Sequence, residues 1–268
     1  MEKDKFCVIG DPISHSKSPQ IHKAFARQIN MKIQYDKILV SRGELKKFLL
    51  ESKDNVKGIN VTVPLKEEAW DACDFLTDRA KKARAVNTLW EEQGLWFGDN
   101  TDGVGFVKDL NDNLAFNINN KNILFVGSGG AVKGVIHPLI DCSPSSIYIY
   151  SRNESKAKKL ILDTDDERVL FYEKFYKRSI KFDLIINSTP ASLFGEMPEM
   201  PEIEVNEDAI FYDMGYGVKS TPFQEYGFSK GYHSVDGLGM LVEQAGFSFL
   251  QWHGRHPKTK DVLDALRL

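Results

Sequence analysis

Apolar residues along this chain fall into short runs separated by segments with helical spacing. Residues 6–9 read as a strand, stopped by Gly10-Asp11-Pro12. Residues 19–29 read as a helix with Pro19 in its first turn, 33–40 as a second strand, 43–53 as a helix, and 58–63 as a third strand ending at Pro64. This alternation predicts a parallel sheet covered by helices. After a boundary near residue 101 a second α/β series begins. A helix is expected over 103–114, a polar turn over 117–122, and a strand over 123–126 running into Gly127-Ser-Gly-Gly130. A helix over about 131–140, a strand over 146–150, a helix from about 154, and strands over 182–187 and 209–214 complete the series. Leu238, Leu241, Val242, Ala245 and Phe249 then share one face of a helix beginning near Gly237, and a last helix runs from 258 to the end. These two helices fit over either domain.

Length changes this picture little: 268 residues suit one large or two modest domains, at about 100–200 residues each. Charge narrows the partners. A net charge of −3 gives no basic field for nucleic acid or an anionic membrane, while a local basic cluster still allows a small anionic substrate. Cys7, Cys73 and Cys142 are odd in number and lack metal-ligand spacing, so they read as free thiols in a reducing compartment. The opening Met1-Glu-Lys-Asp-Lys5 is followed by only a short apolar run, which does not make a signal peptide, and no apolar stretch is long enough to span a bilayer. The expectation is a soluble cytoplasmic protein.

The glycine cluster is the first chemical signal. Gly127-x-Gly129-Gly130 lies between a predicted strand and a predicted helix, where glycines let the backbone approach a pyrophosphate and the helix start offers N–H groups to it. Val132 stands where the general pattern wants a third small residue, and a tight turn without a ligand is the alternative. An NAD-binding domain places an acid near the end of the next strand to hold the ribose 2′-hydroxyl. Here that place holds Ser151-Arg152-Asn153, with Lys156 following, and a guanidinium suits a 2′-phosphate. The pattern favours NADP, with a solvated helix start as the alternative.

The first half carries scattered polar groups. Ser14, Ser16 and Ser18 precede a helix and are read as caps or as a carboxylate or polyol site. Asn60 and Thr62 share one strand face, and Lys66 follows just past the strand's carboxyl end, the edge where parallel sheets bind ligands. Taken alone, they read better as a surface lysine and two strand-end polars. Gly98-Asp-Asn-Thr-Asp-Gly103 lacks the spacing and terminal Glu of a calcium loop. His253 and His256 have no ligating pattern around them, so no metal is expected.

In this order the segments resemble the shikimate dehydrogenase family over almost the whole chain. The resemblance rests on Ser14-His-Ser-Lys-Ser-Pro19, Asn60-Val-Thr-Val-Pro64 with Lys66, Ala85-Val-Asn-Thr88 and Gly98-Asp-Asn-Thr-Asp-Gly103. It continues through Gly127-x-Gly-Gly-Ala131, Asn187-Ser-Thr-Pro190, Tyr212-Asp-Met214 and Asp236-Gly-Leu-Gly-Met240 with Gln244. It implies two α/β domains with a cleft between them: a substrate domain of residues 1–101 plus 237–268, and a Rossmann-like NADP domain of residues 102–236. It implies that Ser16 and Ser18, helped by Tyr216, hold a carboxylate, and that Asn60, Thr62, Asn87, Asp102 and Gln244 hold ring hydroxyls. Lys66 and Asp102 would be the catalytic pair. Gly127, Ser128, Gly129, Gly130, Ala131, Ser151, Arg152, Asn153 and Lys156 would hold NADP, with Met214 and Gly237 near the nicotinamide.

The reaction implied is reversible reduction of 3-dehydroshikimate to shikimate, by a monomer or homodimer. Ser128 for Ala, Lys133 for Arg, Asn153 for Thr, Lys156 for Arg, and the 189–195 segment against the usual Thr-x-x-Gly form are departures from the family pattern. The rivals are a quinate/shikimate dehydrogenase with broader cofactor use, which usually carries Asp near 152, and a non-catalytic shikimate sensor, which should have lost Lys66 or Asp102.

Overall fold

The structure, a computed structural model, describes residues 4–53, 55–173, 180–217 and 219–268. The first three residues of the charged N-terminal segment therefore lie outside the described residues. The chain forms two compact units, one of residues 1–106 with 241–268 and one of residues 107–240. From the sequence the junctions are expected at 101/102 and 236/237. The two compact units part a few residues later, at 106/107 and 240/241, each within a helix.

In chain order the first unit opens with β1 (Lys5–Gly10), α1 (Ser18–Gln28), β2 (Gln34–Leu39), α2 (Leu45–Ser52) and β3 (Gly58–Val61). It continues through α3 (Lys66–Ala72), the two-residue β4 (Phe75–Leu76), α4 (Asp78–Ala83), β5 (Thr88–Glu92), β6 (Leu95–Asp99) and α5 (Asp102–Lys108). The sheet order is β2-β1-β3-β5-β6-β4. β1 lies parallel to β2 and β3, as the alternation predicts, but β5 runs antiparallel to both β3 and β6. The antiparallel hairpin is the departure from the expected all-parallel sheet. Its two-residue turn places Gln93 at φ 53° and Gly94 at φ 81°, the left-handed pair that matches the twist of a tight hairpin. Ile9, Val61, Leu65, Leu89 and Trp96 close the core of this unit with Leu45 and Leu49.

The second unit contains β7 (Asn122–Val126), α6 (Gly130–Asp141), β8 (Ser146–Tyr150), α7 (Glu154–Thr164), β9 (Val169–Phe171) and β10 (Lys181–Asn187). A 3₁₀ turn (Ala191–Phe194), β11 (Glu204–Asp213), α8 (Pro222–Ser229) and β12 (His233–Val235) follow. Every strand pair is parallel, in the order β12-β11-β10-β7-β8-β9. This is the doubly wound dinucleotide-binding order, and the strand order reverses between β7 and β10, where such folds bind their ligand. Helix 103–114 is not continuous: α5 ends at Lys108 and Asp109–Asn113 forms a single π turn. The cause is a buried carboxylate. Asp109 accepts from Tyr212 Oη at 2.7 Å and Asn113 Nδ2 at 2.8 Å, and the widened turn accommodates that pairing. β11 begins at Glu204 rather than 209, through a register irregularity opposite Phe182 and Leu184.

The last helices are α9 (Leu238–His253) and α10 (Thr259–Arg267). Of the predicted stripe, Leu238, Val242, Ala245 and Phe249 are buried and Leu241 is half-buried. Glu243, Gln244 and Ser248 are buried too, so the helix is enclosed on more than its apolar face. In the first unit Phe249 meets Phe25 at 5.6 Å and Trp252 meets Phe6 at 5.1 Å, with the indole N–H donating to Leu89 O at 3.1 Å. Among the described residues no helix is long and apolar enough to cross a membrane, and no group of three metal-ligating side chains occurs.

Candidate active site

Two oppositely charged residues of the first unit each open a helix. Lys66 starts α3 directly after the turn that leaves β3, a turn fixed by the bond from Leu65 N to Thr62 O at 3.0 Å and by the fully buried Leu65 side chain. Asp102 starts α5, with its backbone N–H donating to Asn100 Oδ1 at 3.1 Å. Lys66 Nζ lies 2.6 Å from Asp102 Oδ2, and the two side chains are 27% and 11% exposed, so the pair is sheltered but open on one side. The other carboxylate oxygen accepts from Asn87 Nδ2 at 2.8 Å. That amide cannot be flipped: its Oδ1 accepts from the backbone N–H of Thr101 at 2.9 Å, a group that only donates. Both carboxylate oxygens are thus held, and the ammonium is aimed.

The β5–β6 hairpin sets this geometry. Asn87 N donates to Asp99 O at 3.0 Å, and Thr88 pairs with Asp99 across the ladder, which carries two separate sequence motifs to one place. A buried network extends from there. Thr88 Oγ1 donates to Asn87 Oδ1 at 2.9 Å and shares a hydrogen bond with Ser248 Oγ at 2.7 Å. Asn60 Nδ2 donates to Ser248 Oγ at 3.0 Å and to Asn87 O at 3.2 Å, while its Oδ1 accepts from Tyr35 Oη at 2.6 Å. Asn60's amide is therefore engaged within the network on both sides. Burial pushes the Tyr35 phenol well above its ordinary pKa, with Cys7 adding to the shift and a bond with Ser18 opposing it. Ser16 and Ser18 are buried and hydrogen-bonded to each other at 3.2 Å. Gln244 accepts from Asn87 Nδ2 at 3.1 Å and turns its own Nε2 back to Leu241 O at 2.8 Å. Thr62 is half-buried, and its hydroxyl makes no hydrogen bond among the described residues.

His22 backs this network. It is fully buried, stacks on Tyr35 at 4.6 Å and lies 5.1 Å from Trp252, and neither ring nitrogen has a hydrogen-bond partner. Burial, then the neighbouring His253, drive its pKa down to about 3, with Asn60 opposing in part. The ring is neutral.

In the second unit the chain leaves β7 at Gly127 with φ 111°, a conformation that requires glycine, and Gly127 N donates to Tyr150 O at 2.8 Å. Gly129 caps α6 without any side chain, and a Cβ at Gly130 would meet only open space. The first-turn N–H groups therefore face an unobstructed approach, which fits a dinucleotide pyrophosphate. Val132 is fully buried in the core, so its bulk does not reach that approach, and Ala131 is exposed. Ser128 Oγ meets Ser151 Oγ at 2.9 Å, tying the glycine loop to the end of β8. Asn153 caps α7, accepting from Lys156 N at 3.0 Å and Ser155 Oγ at 2.9 Å. Arg152 and Lys156 are exposed, and their side chains make no hydrogen bond or ion pair among the described residues. Met214 is half-buried after β11, and Gly237 N donates to Gly215 O at 2.9 Å, which brings Met214 and Gly237 to one edge of the sheet. Tyr216 belongs to this unit, its phenol pKa raised by burial.

Family models match three stretches of the chain: a shikimate dehydrogenase substrate binding domain over residues 8–89, a shikimate/quinate 5-dehydrogenase domain over 109–213, and a shikimate 5′-dehydrogenase C-terminal domain over 237–267. The chain is 41% identical to a protein of Cupriavidus necator named shikimate dehydrogenase (NADP(+)), over 98% of this chain and 93% of that one. It belongs to the shikimate dehydrogenase family. Among solved structures it resembles an Ael1 enzyme from Pseudomonas putida, at TM-score 0.92 and 35% identity over 99% of both chains. It also resembles the Thermus thermophilus shikimate 5-dehydrogenase solved with NADP(H) and shikimate, at TM-score 0.89 and 25% identity over 98% of both chains. The shikimate dehydrogenase fold, with its mixed first sheet and doubly wound second sheet, is thus shared over the full length.

The network contains four residues that the sequence does not single out as site residues: Tyr35, Thr88, Thr101 and Ser248. Thr88 and Thr101 lie inside the motifs that carry the family resemblance. Ser248 follows Gln244 by one helical turn, and its hydroxyl donates to Gln244 O at 3.2 Å, a spacing that puts both on one side of α9. Tyr35 is the one fully buried position of β2, a signal available only once the strand's pairing is known.

Proposed function

We propose that this chain is an NADP-dependent shikimate dehydrogenase, catalysing the reversible reduction of 3-dehydroshikimate to shikimate. The observation that carries the reading is the Lys66–Asp102 pair at 2.6 Å, with the far carboxylate oxygen held by Asn87. Bound NADPH supplies the hydride. As the substrate carbonyl gains negative charge, the Lys66 ammonium hydrogen-bonds its oxygen and delivers a proton to it. Asp102 keeps the ammonium in place and accepts from the neighbouring substrate hydroxyl. Ser16 and Ser18, with Tyr216, would take the carboxylate; Asn60, Thr62, Asn87 and Gln244, with Asp102, would take ring hydroxyls. Gly127 to Ala131 would hold the pyrophosphate, while Arg152 and Lys156, with Ser151 and Asn153 beside them, would hold the 2′-phosphate. Met214 and Gly237 would flank the nicotinamide. The substrate part comprises residues 1–101 plus 237–268 and the NADP part 102–236. The acidic net charge supports a small-molecule partner over nucleic acid, and we place the enzyme in the cytoplasm as a monomer or homodimer.

The test is initial-rate oxidation of shikimate with NADP⁺ and with NAD⁺, and of quinate with each. Turnover confined to shikimate with NADP⁺ is expected. Comparable rates with quinate or NAD⁺ would move the enzyme to the broader quinate/shikimate group, and no turnover with any pair would remove the catalytic reading.

A further inference from the structure

The loop after β10 is one of the places where this chain departs from its family pattern. It carries Ser192 where the Thr-x-x-Gly form has glycine, and the structure gives that serine a specific use. Asp213, at the end of β11, has no exposure to solvent and collects donors from three segments. Asn187 Nδ2 donates to its Oδ1 at 3.1 Å and Gly215 N to the same oxygen at 2.9 Å, while Thr221 Oγ1, the cap of α8, donates to Oδ2 at 2.7 Å. Ser192 Oγ also donates to Oδ2, and it accepts from Asn187 Nδ2 at 3.1 Å. A buried carboxylate with this many donors is held rigidly, and it holds in turn whatever donates to it.

What it holds is the 3₁₀ turn Ala191–Phe194, and that turn presents two adjacent apolar side chains outward: Leu193 is 64% exposed and Phe194 74%. Two features place the turn. Ser188, just upstream, packs against Gly127 of the glycine loop and donates from its hydroxyl to Val126 O at 2.9 Å. Ser192 itself lies against Gly215, the residue after Met214. The turn therefore stands at the carboxyl edge of β10, beside the point where strand order reverses, between the glycine loop and the Met214–Gly215 segment. A dinucleotide lying across that edge has its adenosine half over β8 and its nicotinamide half over β10 and β11. An exposed apolar pair on a turn anchored there fits the flat, largely apolar face of a nicotinamide ring.

We propose that Leu193 and Phe194 form an apolar cover for the nicotinamide half of the cofactor, and that Ser192 is the positioning residue that mounts it on Asp213. The inference rests on the dinucleotide reading of the second unit and not on the identity of the substrate.

The experiment is calorimetric binding of NADP⁺ and, separately, of 2′,5′-ADP, which carries the adenosine half alone, to the wild type, to the double variant Leu193→Ala/Phe194→Ala and to Ser192→Gly. Both replaced side chains in the double variant are exposed, so folding should be unaffected, and retained 2′,5′-ADP binding reports an intact second unit. NADP⁺ affinity should fall about tenfold in the double variant and by a smaller factor in Ser192→Gly, while 2′,5′-ADP affinity stays within about twofold of wild type. Ser192→Thr, which keeps the hydroxyl, should bind NADP⁺ more tightly than Ser192→Gly. Equal losses for both ligands, or no loss for either, would overturn the proposal. A wild type that binds NADP⁺ but does not turn over shikimate would remove the substrate reading and leave this one standing.

Discussion

Lys66 and Asp102 owe their usefulness to neighbours that have no charge. Asn87, oriented by the Thr101 backbone, holds one carboxylate oxygen and so leaves the other for Lys66. Lys66→Ala should lower kcat by roughly 10²–10⁴, the usual range for an acid–base group, with circular dichroism unchanged; wild-type turnover in a folded Lys66→Ala enzyme would remove lysine from the chemistry. His22 makes a different prediction. Its folded pKa of about 3 lies below the ordinary 6.5, so between those values the unfolded chain takes up a proton that the folded chain refuses. Stability should therefore fall as pH drops below about 6.5, by up to about 1.4 kcal/mol per pH unit. Replacing His22 by Phe, which keeps the aromatic stack, should flatten that part of the profile; urea midpoints measured from pH 7 to 4 decide it, and parallel curves for the two proteins would count against the assignment.

Elements, more than residues, decided what could be read in advance. β1, β7, β8 and β10 are runs of large apolar residues, and such runs announce themselves wherever a strand is buried on both faces. β5 and β6 do not. Trp90, Glu91 and Phe97 are only partly buried, and the turn between the strands is Gln93-Gly94, a weaker hairpin signal than Asn-Gly. Without the hairpin the sequence offers no reason for Asn87 and Asp102 to meet, although the family resemblance implies both as site residues. The π turn at Asp109–Asn113 was hidden for a related reason: its cause is Tyr212, about a hundred residues away. Tyr212→Phe removes the donor to a buried carboxylate oxygen and should destabilise the protein by about 1–3 kcal/mol. A chemical denaturation curve that superimposes on wild type would show the bond to be energetically idle.

At the scale of the molecule, the sequence shows two α/β series and divides them at 101/102 and 236/237, a few residues before the compact units part at 106/107 and 240/241. In the proposed reading the second unit would hold its cofactor through backbone geometry at Gly127–Gly130 and through charge at Arg152 and Lys156. Asn153 caps α7 through its Oδ1, the acceptor for Lys156 N. Arg152 thus carries most of the expected discrimination. Arg152→Ala should raise KM for NADP⁺ by about 10–100-fold, the worth of a charge-assisted pair, and leave KM for NAD⁺ nearly unchanged. Equal changes for both cofactors would place the guanidinium elsewhere than on the 2′-phosphate.

The first unit is assembled from both ends of the chain, whereas the second runs without interruption from residue 107 to 240. During synthesis the ribosome therefore releases every strand of the second sheet before the first unit can be finished. Until residues 241–268 emerge, Asn60 and Thr88 lack the Ser248 hydroxyl, and Phe6 and Phe25 lack the rings of Trp252 and Phe249 that cover them. A chain paused at that stage presents a nearly complete sheet with an uncovered aromatic face, which exposes it to misassociation until residues 241–268 emerge.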